Sequence, residues 1–106
     1  MFRARLTVLL LVVAAPALAQ ETKIAISVRD HQFVPAVLPV PAGVKLEFVI
    51  RNEQATPAEF ESTSLHREKV VAAGATVSVF VGPLKPGRYE FFDDFHPVTR
   101  GVIVVQ

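Results

Sequence analysis

The sequence contains no cysteine and no tryptophan, and its only methionine is the first residue. Without cysteine the chain forms no disulfide, is not acylated as a lipoprotein and offers no thiolate to a metal ion. The basic residues form no run, so the electrostatic footprint of nucleic-acid binding is missing. No zinc-protease, phosphate-loop or nucleophile-elbow motif is present, which leaves hydrolase functions without support.

The first nineteen residues have the composition of an export signal. Arg3 and Arg5 form a short positive region, an almost wholly apolar run follows, and an Ala-Leu-Ala pattern ends at Ala19. The apolar run is too short to remain as a membrane span, which needs about 20 residues. We therefore expect residues 1–19 to be a cleaved signal peptide and residues 20–106 to reach the periplasm as a domain that is not embedded in the membrane.

A single domain of this size is close to the lower limit for a self-sufficient core, because it buries only about 60–65% of its unfolded surface. Small exported domains often compensate with disulfides or a bound metal. Since cysteine is absent, a metal ion is the remaining candidate. Two of the eleven basic residues lie in the signal segment, which leaves nine against ten acidic ones.

The rest of the chain has the pattern of short strands separated by Pro/Gly turns, which indicates an all-β sandwich. Alternating apolar residues predict half-buried strands. The predicted strands are 23–29, 37–40, 44–51, 58–62, 77–81, 88–92 and 101–105, with short extended pieces at 33–34 and 70–71. Residues 63–69 are predicted to be irregular or one helical turn, and residues 93–100 to form a loop.

Several stretches in this order resemble the cupredoxin family. They are Phe33-x-Pro35 with Val40-Pro41-Ala42-Gly43, Arg51-Asn52 with a loop to Pro57, and Lys85-Pro86-Gly87-Arg88-Tyr89-Glu90-Phe91-Phe92 before a His-containing loop and Gly-Val-Ile-Val-Val. The resemblance covers essentially all of residues 20–106 and implies a cupredoxin-like Greek-key β-sandwich.

The metal ligands of that family are only partly present. On the family's pattern, Asp93 occupies the cysteine position and His96 the following histidine position. No methionine follows, and the family's first histidine falls at or beside Ala58 and Glu59. Because a blue copper site needs a thiolate with two imidazoles, electron transfer of the blue-copper type is excluded.

A narrower set of stretches resembles the small periplasmic cupredoxin-like proteins found with high-affinity iron permeases. It consists of Glu59-Phe60-Glu61-Ser62, Leu65-x-Arg67-Glu68-Lys69-Val70-Val71, Gly82-Pro83-Leu84-Lys85-Pro86-Gly87 and Asp94-Phe95-His96-Pro97. This resemblance implies binding of a copper or iron ion, with oxidation of Fe(II) or delivery of iron to the permease. The partners it implies are a membrane iron permease and a further periplasmic protein.

The candidate ligands are Glu59, Glu61, Asp93 and His96. Glu59 and Glu61 are two apart on a predicted strand, so they share a face with Cα atoms roughly 7 Å apart. In the sandwich implied by the resemblance, the loop that carries Asp93 and His96 lies at the same end. Carboxylates with one imidazole suit iron, Cu(II) or Mn(II), whereas Cu(I) would lack a soft ligand. We expect one of two adjacent aspartates to be a ligand, namely Asp93, and Asp94 to cap the loop.

Other interpretations remain open at this point. Glu59 and Glu61 would be ordinary surface residues if Arg67, Lys69 or Arg88 paired with them, and His31 and His66 have the character of surface histidines. At the level of function, a ferroxidase-type activity, a non-catalytic metal carrier and a metal-free β-sandwich interaction module all fit the sequence.

Overall fold

The computed structural model of the protein describes residues 3–12 and 21–106, and within them the chain forms nine β-strands and no helix. The strands are β1 (Glu21–Arg29), β2 (Gln32–Val34), β3 (Val37–Val40), β4 (Lys45–Asn52), β5 (Ala58–Ser62), β6 (Arg67–Val71), β7 (Thr76–Val81), β8 (Gly87–Asp93) and β9 (His96–Val105). Residues 3–12 are exposed and belong to no strand.

The signal peptide predicted for residues 1–19 lies partly outside the described residues, as does the predicted cleavage point after Ala19. Cleavage and export therefore stay predictions. In the ranges that the structure describes, no helix is long and apolar enough to cross a membrane.

The strands form two sheets that enclose one apolar core. One sheet has the order β2-β1-β4-β7 and the other has the order β3-β9-β8-β5-β6. The β1·β4 and β3·β9 pairs are parallel, and the remaining neighbours are antiparallel. The predicted all-β sandwich is thus confirmed.

Alternation along the strands places the core between the sheets. Ile26 and Val28 of β1 and Phe48 of β4 are fully buried from one side, and Phe60 of β5 and Phe91 of β8 from the other. The next residues along each strand therefore point away from the core. For β5 this means that the residues flanking Phe60 lie on the outer face of the five-stranded sheet.

Three phenylalanines join the two sheets beneath the end of the sandwich where β8 turns into β9. The ring of Phe91 lies 4.8 Å from that of Phe33 in an edge-on arrangement and 5.0 Å from that of Phe60 in a stacked one. Edge-on and offset contacts at these separations are favourable because of the ring quadrupoles. The three rings therefore pack against one another beneath the polar residues at this end.

Two segments differ from the sequence-based prediction. Residues 67–69 were predicted as irregular, but β6 begins at Arg67 and continues to Val71. A four-residue turn ends at His66, whose φ of 54° is left-handed, and it returns the chain directly onto β5 with Ser62 opposite Arg67. Glu68 consequently becomes a strand residue opposite Glu61.

The predicted loop over residues 93–100 is instead a tight hairpin. β8 runs to Asp93 and β9 begins at His96, so only Asp94 and Phe95 lie between the strands. The backbone N–H of Phe95 donates to Oδ1 of Asp93, which closes the turn through a side chain, as aspartate often does. The run His-Pro-Val-Thr-Arg lacks the alternation that predicts a strand. His96 pairs with Asp93 and Arg100 with Phe92, and residues 97–99 form an irregularity between these two pairs.

The hairpin between β1 and β2 brings His31 to the same end of the sandwich. Asp30 and His31 have φ values of 49° and 55°, which is typical of the two central residues of a type I′ turn. The turn is fixed from both sides. The His31 N–H donates to Oε1 of Gln54, and its carbonyl accepts from the Thr99 hydroxyl.

Candidate metal site on the outer face of the five-stranded sheet

Asp93 is a buried residue whose side chain is hydrogen-bonded to two different segments of the backbone. It is only 1% exposed, and its Oδ1 accepts hydrogen bonds from the backbone N–H of Glu59 at 2.9 Å and of Phe95 at 3.0 Å. The carboxylate thus fixes the start of β5 and the turn after β8 at once. One of its oxygens is occupied by two backbone donors.

Glu59, Glu61 and Asp94 form a cluster in which one carboxylate oxygen from each lies within 4.8 Å of the others. Alternation along β5 puts the two glutamates on one face. Asp94 joins them because its backbone N–H donates to the carbonyl of Glu59, at 3.1 Å. We call these three residues the carboxylate cluster. It is the one group of three or more metal-ligating side chains found in residues 3–12 and 21–106.

The cluster lies partly out of water. Glu59 is 5% exposed, whereas Glu61 is half-buried and Asp94 is exposed. The cluster therefore has a sheltered inner ligand and an open outer side. Such an arrangement can admit an ion from solvent and still hold it against a partly dehydrated carboxylate.

A fourth carboxylate, Glu68 of β6, borders the cluster. A hydrogen bond with the Glu68 side chain, loss of hydration, and the charges of Glu68, Asp94 and Glu61 together raise the pKa of Glu59 from 4.5 to about 7. The pKa of Glu61 is raised as well, by loss of hydration and then by the charges of Asp94 and Glu68. The fold thus places several carboxylates close together, and only protons or a cation can reduce the repulsion between them.

Basic side chains do not supply that relief within the described part of the chain. The Arg67 guanidinium donates to the carbonyls of Phe80, Leu65 and His66. The ion pairs recorded for the described residues join Lys23 to Glu47 and Arg29 and Arg51 to Glu53, away from the cluster. The interpretation of Glu59 and Glu61 as surface residues paired with Arg67, Lys69 or Arg88 therefore finds no contact here.

A second polar feature, which we call the end cleft, lies around the β8–β9 turn. It has a volume of about 270 Å³ and is lined by His31, Thr56, Pro57, Asp93, Phe95 and His96. The rings of His31 and His96 stack with centroids 4.1 Å apart and planes 22° from parallel. His31 had no predicted role, and the type I′ turn that lifts it beside His96 is not evident from an Asp-His pair.

The hydrogen bonds of Thr99 define the tautomer of neutral His96. The Thr99 hydroxyl donates its one proton to the carbonyl of His31 at 2.6 Å, so it can only accept from His96 Nδ1 at 2.8 Å. Nδ1 of His96 therefore carries the proton, and Nε2 keeps its lone pair. A hydrogen bond of this kind orients an imidazole whose other nitrogen binds a metal or a proton.

The structure divides the four predicted ligands between these two places. Glu59 and Glu61 meet in the carboxylate cluster, where Asp94 joins them, while Asp93 and His96 line the end cleft. Asp93 closes the turn, which is the role expected of Asp94, and Asp94 faces the glutamates; metal ligation by either aspartate stays a prediction. Sequence reasoning did not find Glu68. A prediction that residues 63–66 form the turn between β5 and β6 would have placed Glu68 opposite Glu61.

Asp93→Ala should lower the free energy of unfolding by roughly 3 kcal/mol, because two buried N–H groups lose a charged acceptor. Asp93→Asn keeps an oxygen at the same place and should lose roughly 1 kcal/mol. Urea unfolding followed by circular dichroism measures both, with Glu21→Gln, at an exposed position in the other sheet, as the control. Equal stability of Asp93→Ala and the parent, or equal damage by Ala and Asn, would contradict the assigned role.

The metal-free protein should lose stability as the pH rises from about 4.5 to about 7. Because the pKa of Glu59 is higher in the folded state, the folded chain holds this proton more tightly than the unfolded chain. The stabilisation is complete below the unfolded value and disappears as the pH passes the folded value of about 7. Urea midpoints in chelator-treated buffers across this range measure the effect.

Glu68→Gln is the matched variant for this pH dependence. Its amide can donate to the Glu59 carboxylate and carries no charge, so the decline between these pH values should become shallower. Glu21→Gln, at the exposed start of β1 in the other sheet, is the control and should leave the decline unchanged. A parent protein that gains stability over this range, or an unaltered decline in Glu68→Gln, would refute the described coupling.

Comparison with known proteins agrees with the topology. The family described as "Cupredoxin-like domain" matches residues 3–105. Uncharacterized protein RP394 of Rickettsia prowazekii is 44% identical over 84 residues, which cover 78% of this chain and 67% of that protein.

Solved structures share the fold at low sequence identity. The metal-binding domain of the Cu(I)-exporting P-type ATPase CopA of Streptococcus pneumoniae has a TM-score of 0.71 at 20% identity, covering 81% of this chain and 86% of that chain. Auracyanin A, a "blue" copper protein of Chloroflexus aurantiacus, has a TM-score of 0.71 at 15% identity, covering 82% and 100%. With the family match over nearly its whole length, this chain belongs to the cupredoxin-like domain family.

Proposed function

We propose that this protein is a periplasmic metal-binding member of its family that takes up iron or Cu(II) at the carboxylate cluster and assists iron uptake. The observation that carries the proposal is the approach of three carboxylates to within 4.8 Å without a basic partner among the described residues. Like charges at this distance are unfavourable until a cation or protons neutralise them. A divalent ion accomplishes this and releases the proton that Glu59 holds near neutral pH.

The chemistry of the donors limits which ions fit. The chain has no cysteine, so the thiolate of a blue copper centre cannot come from it. Carboxylate oxygens suit hard or borderline ions, which include iron in both oxidation states, Cu(II) and Mn(II). Oxygen ligands also stabilise Fe(III) over Fe(II), so this site favours the oxidised ion.

A subsidiary hypothesis is that Asp93 and His96 of the end cleft also contribute to metal binding. His96 presents an unprotonated Nε2 in its neutral form because Nδ1 donates to Thr99. The sequence-based ligand set also included Asp93, whose Oδ1 is engaged by two N–H groups. Their contribution to metal affinity is measured separately from that of the cluster.

Export and partners rest on the sequence. Arg3, Arg5, the apolar run and the Ala-Leu-Ala pattern before residue 20 support delivery to the periplasm. The resemblance to proteins found with iron permeases supports a membrane permease and a second periplasmic protein as partners. The open side of the cluster at Asp94 supports transfer, because a cargo ion must leave as well as enter.

Metal binding should be visible as thermal stabilisation. Cu(II), Mn(II) and, without oxygen, Fe(II) should raise the melting temperature, since an ion at about a hundred times its Kd adds about 2.7 kcal/mol. Glu59→Gln, Glu61→Gln and Asp94→Asn should each weaken binding by at least about tenfold, as loss of a metal-site partner usually does. Calorimetry on each variant gives the affinities.

Two further variants serve as comparisons for the affinity measurements. Glu21→Gln removes a carboxylate from the other sheet and should bind metal as the parent does. His96→Ala tests the end cleft, and an affinity loss as large as that of Glu59→Gln would make His96 a ligand of the same ion. If no ion shifts the melting temperature, the protein is a metal-free interaction module and the proposal fails.

The oxidase form of the proposal predicts turnover. Under air, substoichiometric protein, either metal-free or loaded with copper, should accelerate formation of Fe(III) from Fe(II) with dioxygen as the electron acceptor. Glu59→Gln should abolish the acceleration, because the sheltered carboxylate is lost. If neither form of the parent exceeds buffer while metal still binds, the protein is a carrier without oxidase activity.

A further inference from the structure

A second cleft on the five-stranded sheet has lining residues unlike those of the metal site. Its volume is about 690 Å³, and it is lined by Thr63, Ser64, Arg88, Glu90, Phe92 and Arg100. We call it the arginine cleft. The lining residues of β8 alternate with the buried Phe91, so they point to the outer face of the sheet.

The strand register places its two arginines at opposite ends. Arg100 lies across from Phe92 on the β8–β9 ladder, and Arg88 lies four residues before Phe92 on β8. Their Cα atoms are therefore about 14 Å apart, from four residue steps along a strand and one strand spacing. Glu90 sits between them on the same face of β8, and Thr63 and Ser64 border the cleft from the turn after β5.

Neither guanidinium is committed to a carboxylate in the described part of the chain, where the ion pairs involve Lys23, Arg29 and Arg51. The Arg100 guanidinium instead lies over the Phe92 ring, 5.2 Å from its centroid. This contact holds the group against the cleft wall and leaves its N–H edges free. Two guanidinium forks facing one cleft match ligands with more than one carboxylate or phosphate group.

We propose that the arginine cleft binds a small organic anion that carries two or more carboxylates and a hydroxyl group. Arg88 and Arg100 pair with carboxylates at the two ends of the ligand. Glu90 lies between them and accepts a hydrogen bond from the hydroxyl group of the ligand, while Thr63 and Ser64 offer further hydroxyl contacts. Glu90 also disfavours a bare inorganic anion, because its own negative charge faces the middle of the cleft.

The position of the cleft supports a separate role from the metal site. Glu61 pairs with Phe92, so the carboxylate cluster begins one strand away on the same face. Its negative charge repels an anion from the β5 side, and the arginines attract it toward β8 and β9. The inference does not depend on metal binding, since every contact it uses belongs to the arginine cleft.

The test is titration of the purified metal-free protein with citrate, a hydroxylated tricarboxylate, by calorimetry and by amide chemical shifts. We expect saturable binding at one site, with the largest shifts in β8 and β9. Arg88→Gln and Arg100→Gln should each weaken it by at least about tenfold, because each removes a charge-assisted pair of hydrogen bonds. Arg51→Gln, whose arginine pairs with Glu53 in the other sheet, should bind as the parent does.

Two further ligands examine the chemical class. Tricarballylate, which lacks the hydroxyl of citrate, should bind more weakly because Glu90 loses its donor, and inorganic phosphate should bind more weakly still. Citrate binding that is retained when both arginines are replaced in a folded variant would overturn the proposal. So would an absence of saturation, or phosphate affinity equal to that of citrate.

Discussion

The buried carboxylate of Asp93 determines where the polar residues of this sandwich can lie. It accepts the N–H of Glu59 and the N–H of Phe95 through one oxygen, so the start of β5 and the β8–β9 turn cannot move independently. The Asp94 N–H then reaches the Glu59 carbonyl. These backbone contacts bring the Asp94 carboxylate toward Glu59 and Glu61 on the outer face. Asp93 thus helps to hold Asp94 in the carboxylate cluster, although the carboxylates of that cluster repel one another.

The glutamates around the candidate metal site and the arginines of the second cleft lie on different halves of the five-stranded sheet, although Glu90 also lies between the arginines. Glu59, Glu61 and Glu68 lie on β5 and β6, and the arginines of the second cleft lie on β8 and β9. Phe92 stands between the two halves, paired with Glu61 on one side and Arg100 on the other. An apolar ring at this position keeps opposite charges from neutralising each other directly. The carboxylate cluster therefore keeps the negative charge that would attract a cation, and the arginine cleft keeps the positive charge that would attract an anion.

The sequence was sufficient for the sandwich because burial in this fold follows an alternation that is visible in single strands. Residues 58–62 were predicted as a strand with Glu59 and Glu61 on one face, and β5 has these bounds with Phe60 buried between them. The turns were harder to predict, since the left-handed His66 and the side-chain closure by Asp93 depend on tertiary pairing. A shift of one residue reverses which side chain faces outward. In this hairpin the side chain of Asp93 is buried and that of Asp94 is exposed, so Asp94 is the aspartate that faces Glu59 and Glu61.

The glutamate pair of the candidate site was also accessible from the sequence, because residues two apart on a strand share a face. Its neighbours were not, because each depends on a contact between distant segments. Glu68 required the register of β6, and His31 required a type I′ turn that carries neither asparagine nor glycine. The tautomer of neutral His96 depends on Thr99, whose hydroxyl donates to a carbonyl 68 residues away in the chain. Such links carry no local signature in the sequence.

A shared fold does not by itself determine which ligand a domain binds, because that depends on the residues of the site. At the end cleft the chain offers His96 with a defined tautomer, but it has no cysteine to supply a thiolate. The carboxylate cluster lies on the outer face, where backbone contacts of β5 position oxygen donors only. Because soft ions need sulfur and hard ions accept oxygen, an ion bound at the carboxylate cluster would belong to the hard or borderline class. If metal binding at the cluster is demonstrated, the same strand order would hold a metal through oxygen donors alone.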